Sequence, residues 1–276
     1  MTGGHDSRRA VPRTVHRGGR RVCAPRTLAE EVPVAIVCNG TTQAVMMATP
    51  DALEDFALGF ALTEHIVDDL SEIESIEVVG HDHGIEARLW LSAPRAERLA
   101  ARRRAMAGPV GCGLCGIDSI EEAVRPVARI AASGLVFPAS GVAAALSALR
   151  ARQDLHDSTR SVHAAGFFVP GRGMLAARED VGRHNALDKL VGALLRDGVE
   201  PGTGAVVLTS RVSVEMVQKT ARLGAPVLIA VSAPTAHAVR LAETAGLTLI
   251  ASARDDGFES YAHADRLDPK ENSDVA

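Results

Sequence analysis

The apolar positions of the chain change rhythm near its middle. Residues 32–38 and 43–48 are apolar-rich runs of strand length. Asn39-Gly40 between them predicts a hairpin, because the tight turns that match strand twist need left-handed backbone, which Asn and Gly tolerate best. Pro50 then introduces residues 51–66, where Leu53, Phe56, Ala57, Phe60 and Ala61 recur at helical spacing. Residues 73–79 and 85–91 read as a second strand pair around His81-Asp82-His83-Gly84, and 94–105 as an Arg-rich helix leading to Gly108-Pro109. This half predicts a small α+β domain over residues 22–108.

From residue 119 onward helices and strands alternate. Residues 141–152 read as a helix, and 165–169 with 174–177 as a hairpin across Pro170-Gly171-Arg172-Gly173. A helix over 185–196 is stopped by Gly198, a buried strand follows at 205–209, and a helix over 214–223 is stopped by Gly224. Residues 227–231, 235–245 and 247–251 then give strand, helix, strand. Alternation of this kind predicts βαβ units. The fold class is therefore α/β, α+β overall: the small N-terminal domain, then a domain over 119–266 with a mixed, largely parallel sheet flanked by helices. Ligands of such sheets sit beyond the carboxyl ends of the strands. Those ends are Ser210-Arg211-Val212-Ser213, Ser232-Ala233-Pro234-Thr235 and Ser252-Ala253-Arg254.

Composition narrows the partners. Aromatic residues are 3% of the 276 and the net charge is −4, which disfavours a single-stranded nucleic-acid binder with its stacking rings and basic groove. No segment approaches the roughly 20 apolar residues of a membrane span. The first 21 residues, rich in Arg and Gly, read as a disordered arm of a cytoplasmic protein, and 267–276 as a disordered tail. Lysine occurs only at Lys189, Lys219 and Lys270. The remaining cations are arginines, which suit bidentate phosphate recognition.

Four cysteines in a chain of this length make no disulfide framework. Cys38 lies in an apolar run and reads as a small buried hydrophobe, and Cys23 has no evident partner. Cys112 and Cys115 differ: Gly111, Gly113 and Gly116 flank and split them in a loop, 109–118, expected to be mobile. The helix start predicted at Asp118-Ser119-Ile120-Glu121 would turn its positive end toward that loop and favour thiolate. A thiolate attacks sulfane sulfur and holds it as persulfide, and a neighbouring thiol can resolve it by exchange. A zinc knuckle uses the same spacing but needs two further ligands, which His81, His83, His156 or His163 would have to supply. The spacing leaves both chemistries open.

Two polar segments read as anion sites. In Arg178-Glu179-Asp180-Val181-Gly182-Arg183-His184-Asn185-Ala186-Leu187-Asp188-Lys189, Arg183 and Lys189 could grip phosphate and His184 donate to it; a solvated helix start laced with ion pairs is the competing reading. In Ser210-Arg211-Val212-Ser213, Arg211 could clamp an anion at a helix N-terminus, with Ser213 as N-cap in either case. His163 precedes an apolar strand, where a lone histidine is more often structural. There is no GxxxxGK[ST] phosphate loop and no zinc-deaminase signature.

Together these pieces resemble the FdhD family of formate dehydrogenase accessory sulfurtransferases, over residues 32–266. The resemblance is carried by Thr49-Pro50-Asp51, Glu54-Asp55-Phe56-Ala57 and Gly59-Phe60, by Cys112-Gly113-Leu114-Cys115-Gly116, and by the run Glu179–Lys189. It continues through Arg211-Val212-Ser213, Glu215-Met216, Ser232-Ala233-Pro234-Thr235, Leu247-Thr248-Leu249, Phe258 and Tyr261. It implies a second domain that is cytidine-deaminase-like and three-layered without zinc chemistry, and a homodimer.

The resemblance also implies a sulfurtransferase. A cysteine desulfurase would load Cys112 as a persulfide, with Cys115 as the second loop cysteine. The sulfur would pass to the molybdenum of bis(molybdopterin guanine dinucleotide), a bound substrate, before its insertion into formate dehydrogenase. The segment Phe258, Glu259, Ser260, Tyr261, Ala262 and His263 matches a stretch assigned to cofactor binding. Arg183, Lys189 and Arg211 would meet its phosphates, and His163, His184, Asn185 and Ser213 its phosphates or guanine. A guanine nucleotide would mimic the substrate; no resident metal, nucleic acid or membrane partner is expected. A cofactor-binding chaperone without sulfur chemistry and a zinc-stabilised structural protein are the alternatives. The chain departs from the family pattern at Thr159-Arg160-Ser161 and at His65, where the pattern carries glycine, and at Thr209-Ser210.

Overall fold

The structure, a computed structural model, describes residues 6–106, 127 and 129–268. The chain opens with two long strands, β1 (Arg8–Arg17) and β2 (Arg20–Ala29), paired antiparallel across Gly18-Gly19. Both turn glycines have positive φ, 55° and 74°, which is why a two-residue turn closes here. The arm expected to be disordered through residue 21 is therefore a hairpin. Val11, Val15 and Val22 alternate with polar residues along it at strand period, a pattern hidden among its arginines.

The N-terminal sheet has the order β4-β3-β6-β5, with β3 (Val32–Cys38), β4 (Thr41–Ala48), β5 (Ile73–His81) and β6 (Gly84–Leu91). Asn39 and Gly40 turn with φ 46° and 74°, as their type predicts. Helices α1 (Leu53–Thr63) and α2 (Ala93–Met106) accompany this sheet. The sequence pattern assigns α1 one apolar face, but every residue from Asp55 to Thr63 is buried. Phe56, Ala57 and Phe60 pack with Val34, Ile36 and Leu89 of the sheet, while Leu62 joins the core of the second domain. Helix α1 is thus shared by both halves.

The second domain begins with a short strand, β7 (Phe137–Pro138), then helices α3 (Ser140–Arg150) and α4 (Asp154–Thr159) and the hairpin β8 (His163–Val169) and β9 (Gly173–Asp180). Next come α5 (Arg183–Arg196), β10 (Ala205–Leu208), α6 (Val214–Leu223), β11 (Val227–Ala230), α7 (Ala236–Ala245), β12 (Thr248–Arg254) and β13 (Gly257–Ala262). The six-stranded sheet has the order β13-β12-β11-β10-β8-β9; β10, β11 and β12 run parallel and the flanking pairs antiparallel. Alternate residues of each central strand face opposite layers. Val206, Leu208, Leu228 and Leu249 meet α5, α6 and α7, while Ala205, Val207, Val227 and Ile250 meet Val142, Ala145 and Leu149 of α3. The result is helix, sheet, helix in three layers. Residues 267–268, expected in a disordered tail, form a strand, β14 (Leu267–Asp268), beside β7. No described helix is long and apolar enough to cross a membrane.

Candidate functional site

The seam between the two domains uses most of the polar run Glu179–Lys189. Asp180, fully buried, sits at its centre. Its Oδ2 accepts from Lys189 Nζ at 2.6 Å and from the Thr49 backbone N–H at 3.0 Å, and its Oδ1 accepts from Gly182 N at 2.7 Å and Asn185 Nδ2 at 2.9 Å. Lys189 Nζ also donates to the Thr49 carbonyl at 2.8 Å, and Asn185 Nδ2 to the Met47 carbonyl at 2.9 Å. Lys189 and Asn185 were expected to face a ligand. They instead lock the N-terminal domain onto α5, because helical spacing returns residues 185 and 189 to the side that meets α1.

A second lock lies one turn further along. Asp188 Oδ1 accepts from Thr63 Oγ1 at 2.7 Å and from Lys219 Nζ at 2.9 Å, and Lys219 Nζ also donates to Glu64 Oε1 at 2.7 Å. Burial works against the Lys219 charge, but Asp188 and Glu64 more than restore it and raise its pKa. Between the locks α1 and α5 touch through glycines: a Cβ on Gly59 would lie 1.8 Å from the Asp188 carbonyl oxygen, and one on Gly192 1.9 Å from that of Asp55. Isolated glycines inside two helical patterns were the sequence signal for this close approach. Glu179 has a structural duty as well, accepting from the backbone N–H groups of Leu155 and His156 at 2.8 Å each and so capping α4.

The other side of the α5 start is different. His184 lies near Glu215, in the first turn of the helix that follows the carboxyl end of β10, and feels the Lys219 and Glu64 charges of the second lock. His184 Nε2 lies 4.0 Å from Glu215 Oε2, so the first turns of α5 and α6 stand side by side. Neither helix has a side-chain cap: Gly182 holds the N-cap of α5, and Ser213, at the N-cap of α6, makes no capping bond. Among the described residues, Arg183 Nε, His184 Nε2 and Ser213 Oγ are buried without a hydrogen-bond partner. Such atoms are rare, since each costs about 1–3 kcal/mol when left unpaired. Burial, reinforced by Arg183 and Lys219, pushes His184 down to about 4 against the pull of Glu215 and Glu64. His163 is lowered by burial, then by Arg183 and His156, with Asp180 opposing. Neutral imidazoles beside arginines leave each ring one donor and one acceptor, while the fixed charge comes from the guanidiniums.

His163 opens β8 opposite Asp180, and the Ala164 N–H donates to Thr209 Oγ1 at 2.9 Å, which brings His163 to the same end of the sheet as Arg211. The α6 loop is fixed to its neighbour by Val212 N–H to the Ala233 carbonyl at 3.3 Å and Thr235 N–H to the Val212 carbonyl at 3.0 Å. His163, Arg183, His184, Arg211 and Ser213 thus share one rim. The segment 258–263 is divided. Glu259 and Ser260 pair with Ala251 and Ile250, toward the carboxyl end, but Ala262 pairs with Leu249 near the opposite end. His263 is further from the rim still, its Nε2 2.9 Å from the Glu243 carbonyl oxygen. An extended strand cannot bring all six residues to one pocket, and Ala262 and His263 do not join this rim.

Cys112, Cys115 and the helix expected from Asp118 lie outside the described residues. Among the described residues no group of three or more His, Cys, Asp or Glu side chains could hold a metal ion. Sequence reasoning missed Glu215, which faces His184, and the part Asp180 and Lys219 play in joining the domains. In the segment Thr159-Arg160-Ser161, Arg160 ends α4 at φ 60°, and the Thr159 carbonyl accepts from Arg26 of the hairpin at 3.4 Å.

Comparison with known proteins follows the same outline. A family model described as the FdhD/NarQ family matches residues 29–268. A protein of Agrobacterium fabrum (strain C58 / ATCC 33970) named sulfur carrier protein FdhD is 52% identical over 261 residues, 95% of this chain and 96% of that one. The protein of the same name from Bordetella bronchiseptica (strain ATCC BAA-588 / NCTC 13252 / RB50) is 48% identical over 253 residues, 91% of each chain. The crystal structure of a Desulfotalea psychrophila protein, described as a formate dehydrogenase accessory protein, superposes with a TM-score of 0.73 at 24% identity. It covers 95% of this chain and 100% of that one, and speaks for the fold.

Proposed function

Because this chain belongs to the FdhD/NarQ family, we propose that it is a sulfur carrier in formate dehydrogenase maturation, taking sulfur from a cysteine desulfurase and delivering it to the molybdenum of bis(molybdopterin guanine dinucleotide). The observation that carries the reading is the rim at the carboxyl end of the sheet. Two helix N-termini without side-chain caps open side by side there, with Arg183, His184 and Ser213 holding unpaired buried polar atoms. Helix dipoles and guanidiniums together suit a ligand with several phosphates. The substrate's guanine dinucleotides carry such phosphates. Arg183 and Arg211 would grip them, His163, His184 and Ser213 would donate hydrogen bonds, and Phe258, Glu259 and Ser260 would border the same end.

The chemistry would belong to the two loop cysteines. The Cys112 thiolate attacks the sulfane sulfur of a donor persulfide; the donor's S–S bond breaks as the new one forms, and the donor leaves as thiolate. For release, the Cys115 thiolate attacks the inner sulfur of the Cys112 persulfide. A Cys112–Cys115 disulfide forms and hydrosulfide departs toward the metal, so the two electrons needed for sulfide come from the second thiol. Intact-mass measurement after incubation with a desulfurase and cysteine tests the loading step: an adduct of about 32 Da, one sulfur, should map to Cys112 and vanish in Cys112→Ala. Cys112→Ala should still bind guanine nucleotide while failing to activate formate dehydrogenase. Full activation by that variant would leave a chaperone without sulfur chemistry as the correct reading.

A further inference from the structure

We propose that the β1–β2 hairpin is a docking arm for another protein, one whose surface carries carboxylates with aliphatic side chains between them. The proposal goes beyond the sulfur-carrier reading and does not rest on it. Each strand is ten residues long, about 33 Å of ribbon. Among the described residues it is tied to the body near its base, where Arg8 Nη1 donates to Ser158 Oγ at 3.3 Å and Arg26 Nη2 to the Thr159 carbonyl at 3.4 Å, while Glu30 N–H closes the ribbon on the Ser7 carbonyl at 2.9 Å. A lone two-stranded ribbon is marginal in water, so the outer part of this arm gains little from existing alone.

Register sorts its residues onto two faces. One face carries Arg9, Val11, Arg13, Val15 and Arg17 on β1 opposite Leu28, Arg26, Ala24, Val22 and Arg20 on β2. Charge and aliphatic surface therefore alternate along β1; across the pair each arginine faces an aliphatic residue as far as Arg13 and Ala24, after which Val15 faces Val22 and Arg17 faces Arg20 at the tip. Val22 is 57% exposed and Leu28 37%. The side chains of Arg13, Arg17, Arg20 and Arg21 have no ion-pair or hydrogen-bond partner among the described residues.

The hairpin holds seven of the chain's 30 basic residues and none of its 34 acidic ones, on a chain whose net charge is −4. Outside the hairpin 23 basic residues stand against 34 acidic ones, which disfavours an extended polyanion such as nucleic acid lying across the arm and the body, though not a compact phosphate held by a local pair of arginines. The valines and leucine argue the same way: they gain nothing beside hydrated phosphates, but they bury favourably against a protein while the arginines take bidentate carboxylates.

The test uses the full-length protein and a synthetic peptide of about twelve residues alternating Glu and Val, with Glu/Ser and Lys/Val peptides and a DNA duplex of about 20 base pairs as comparators. The Glu/Val peptide should bind, and Arg13→Glu/Arg17→Glu/Arg20→Glu should weaken it by about tenfold or more. That variant should bind the Lys/Val peptide instead, which shows that the ribbon still folds. Val15→Ser/Val22→Ser should weaken the Glu/Val peptide and leave the Glu/Ser peptide unchanged. Absence of Glu/Val binding, equal affinity for Glu/Val and Glu/Ser, or tighter binding of the duplex than of the peptide at equal ionic strength would each overturn the proposal.

Discussion

Two sides of a single stretch, Asp180–Lys189, treat their polar groups in opposite ways. Toward α1, Asp180 accepts four hydrogen bonds and ion-pair contacts, and Asn185, Asp188 and Lys189 are all engaged. Toward the end of the sheet, three residues away, Arg183 Nε and His184 Nε2 are buried and unpaired. The first side is cohesion: a charged group removed from water survives only with a full set of partners. The second has the price of burial without the partners, which is the condition of a site that completes itself on a ligand. The cations divide along the same line. Both described lysines are inside the seam, where the Lys189 ammonium meets two oxygens and that of Lys219 four, and the arginines at the rim keep their forks free.

The largest expected effect is on the cohesive side. Lys189→Ala leaves the Asp180 carboxylate buried and short of its cation, and should lower unfolding free energy by about 3–5 kcal/mol. Denaturant titration at constant m-value measures it. Asp180→Asn/Lys189→Met should lose less than the two single changes combined, since neither leaves a lone charge behind. Next comes the helix crossing. Gly59→Ala places a methyl 1.8 Å from the Asp188 carbonyl oxygen, and backbone cannot yield as a side chain does. A loss of about 1–3 kcal/mol is expected, with Gly192→Ala similar. Equal stability of Gly59→Ala and the parent would mean that α1 and α5 are not held this closely.

How much of this was legible beforehand follows from which signals are local. The Asn39-Gly40 hairpin, the alternation of strands and helices after residue 140 and the glycine stops at 198 and 224 depend on nearest neighbours, and they stand in the structure near the expected places. The polar run was legible as dense but not as two-sided. Whether a lysine meets phosphate or Asp180 depends on what packs four residues away on another element, and that element, α1, comes about 130 residues earlier. The hairpin was illegible for a compositional reason: seven arginines at irregular spacing over residues 8–29 mask a period of two. The six-residue segment 258–263 matched as a block, yet a strand distributes its residues along some 20 Å, so block matching overstates a site there.

On the recognition side the predicted effects fall on affinity rather than stability. Arg211→Ala should change unfolding free energy by no more than about 0.5 kcal/mol, and Arg183→Ala should not lower it, because the variant removes a buried Nε that has no partner. Each should weaken guanine nucleotide binding by about tenfold, the value of one charge-assisted hydrogen bond, and flatten its dependence on salt. Titration calorimetry at two ionic strengths separates this from the alternative, in which neither arginine matters and the phosphates lie elsewhere. His184 gives a smaller effect with a definite sign. Its folded pKa, about 4, lies below the ordinary histidine value, about 6.5. The unfolded chain therefore binds the extra proton between these values, and stability should rise as pH climbs through that window. His184→Asn should flatten the rise. A phosphate at the rim should raise the His184 pKa, so nucleotide affinity should increase as pH falls, which the imidazole NMR shifts can follow with and without nucleotide.

The smallest effect concerns two residues other than glycine that are held in left-handed backbone. His65 and Arg160 adopt φ 58° and 60°, the left-handed region, each just after a helix end. A side chain there crowds the following carbonyl by roughly 1–2 kcal/mol, which a glycine avoids at some cost in unfolded-chain entropy. Arg160 offers little in return: its guanidinium is exposed and 3.5 Å from Asp157, which already pairs with Arg150. Arg160→Gly should therefore stabilise the protein by about 0.5–1 kcal/mol. Because the Thr159 carbonyl beside it holds Arg26 at the base of the hairpin, the same variant should leave hairpin amide exchange unchanged or slower. Faster exchange in the hairpin, with no gain in melting temperature, would mean that the Arg160 side chain does more for the arm than its backbone strain costs.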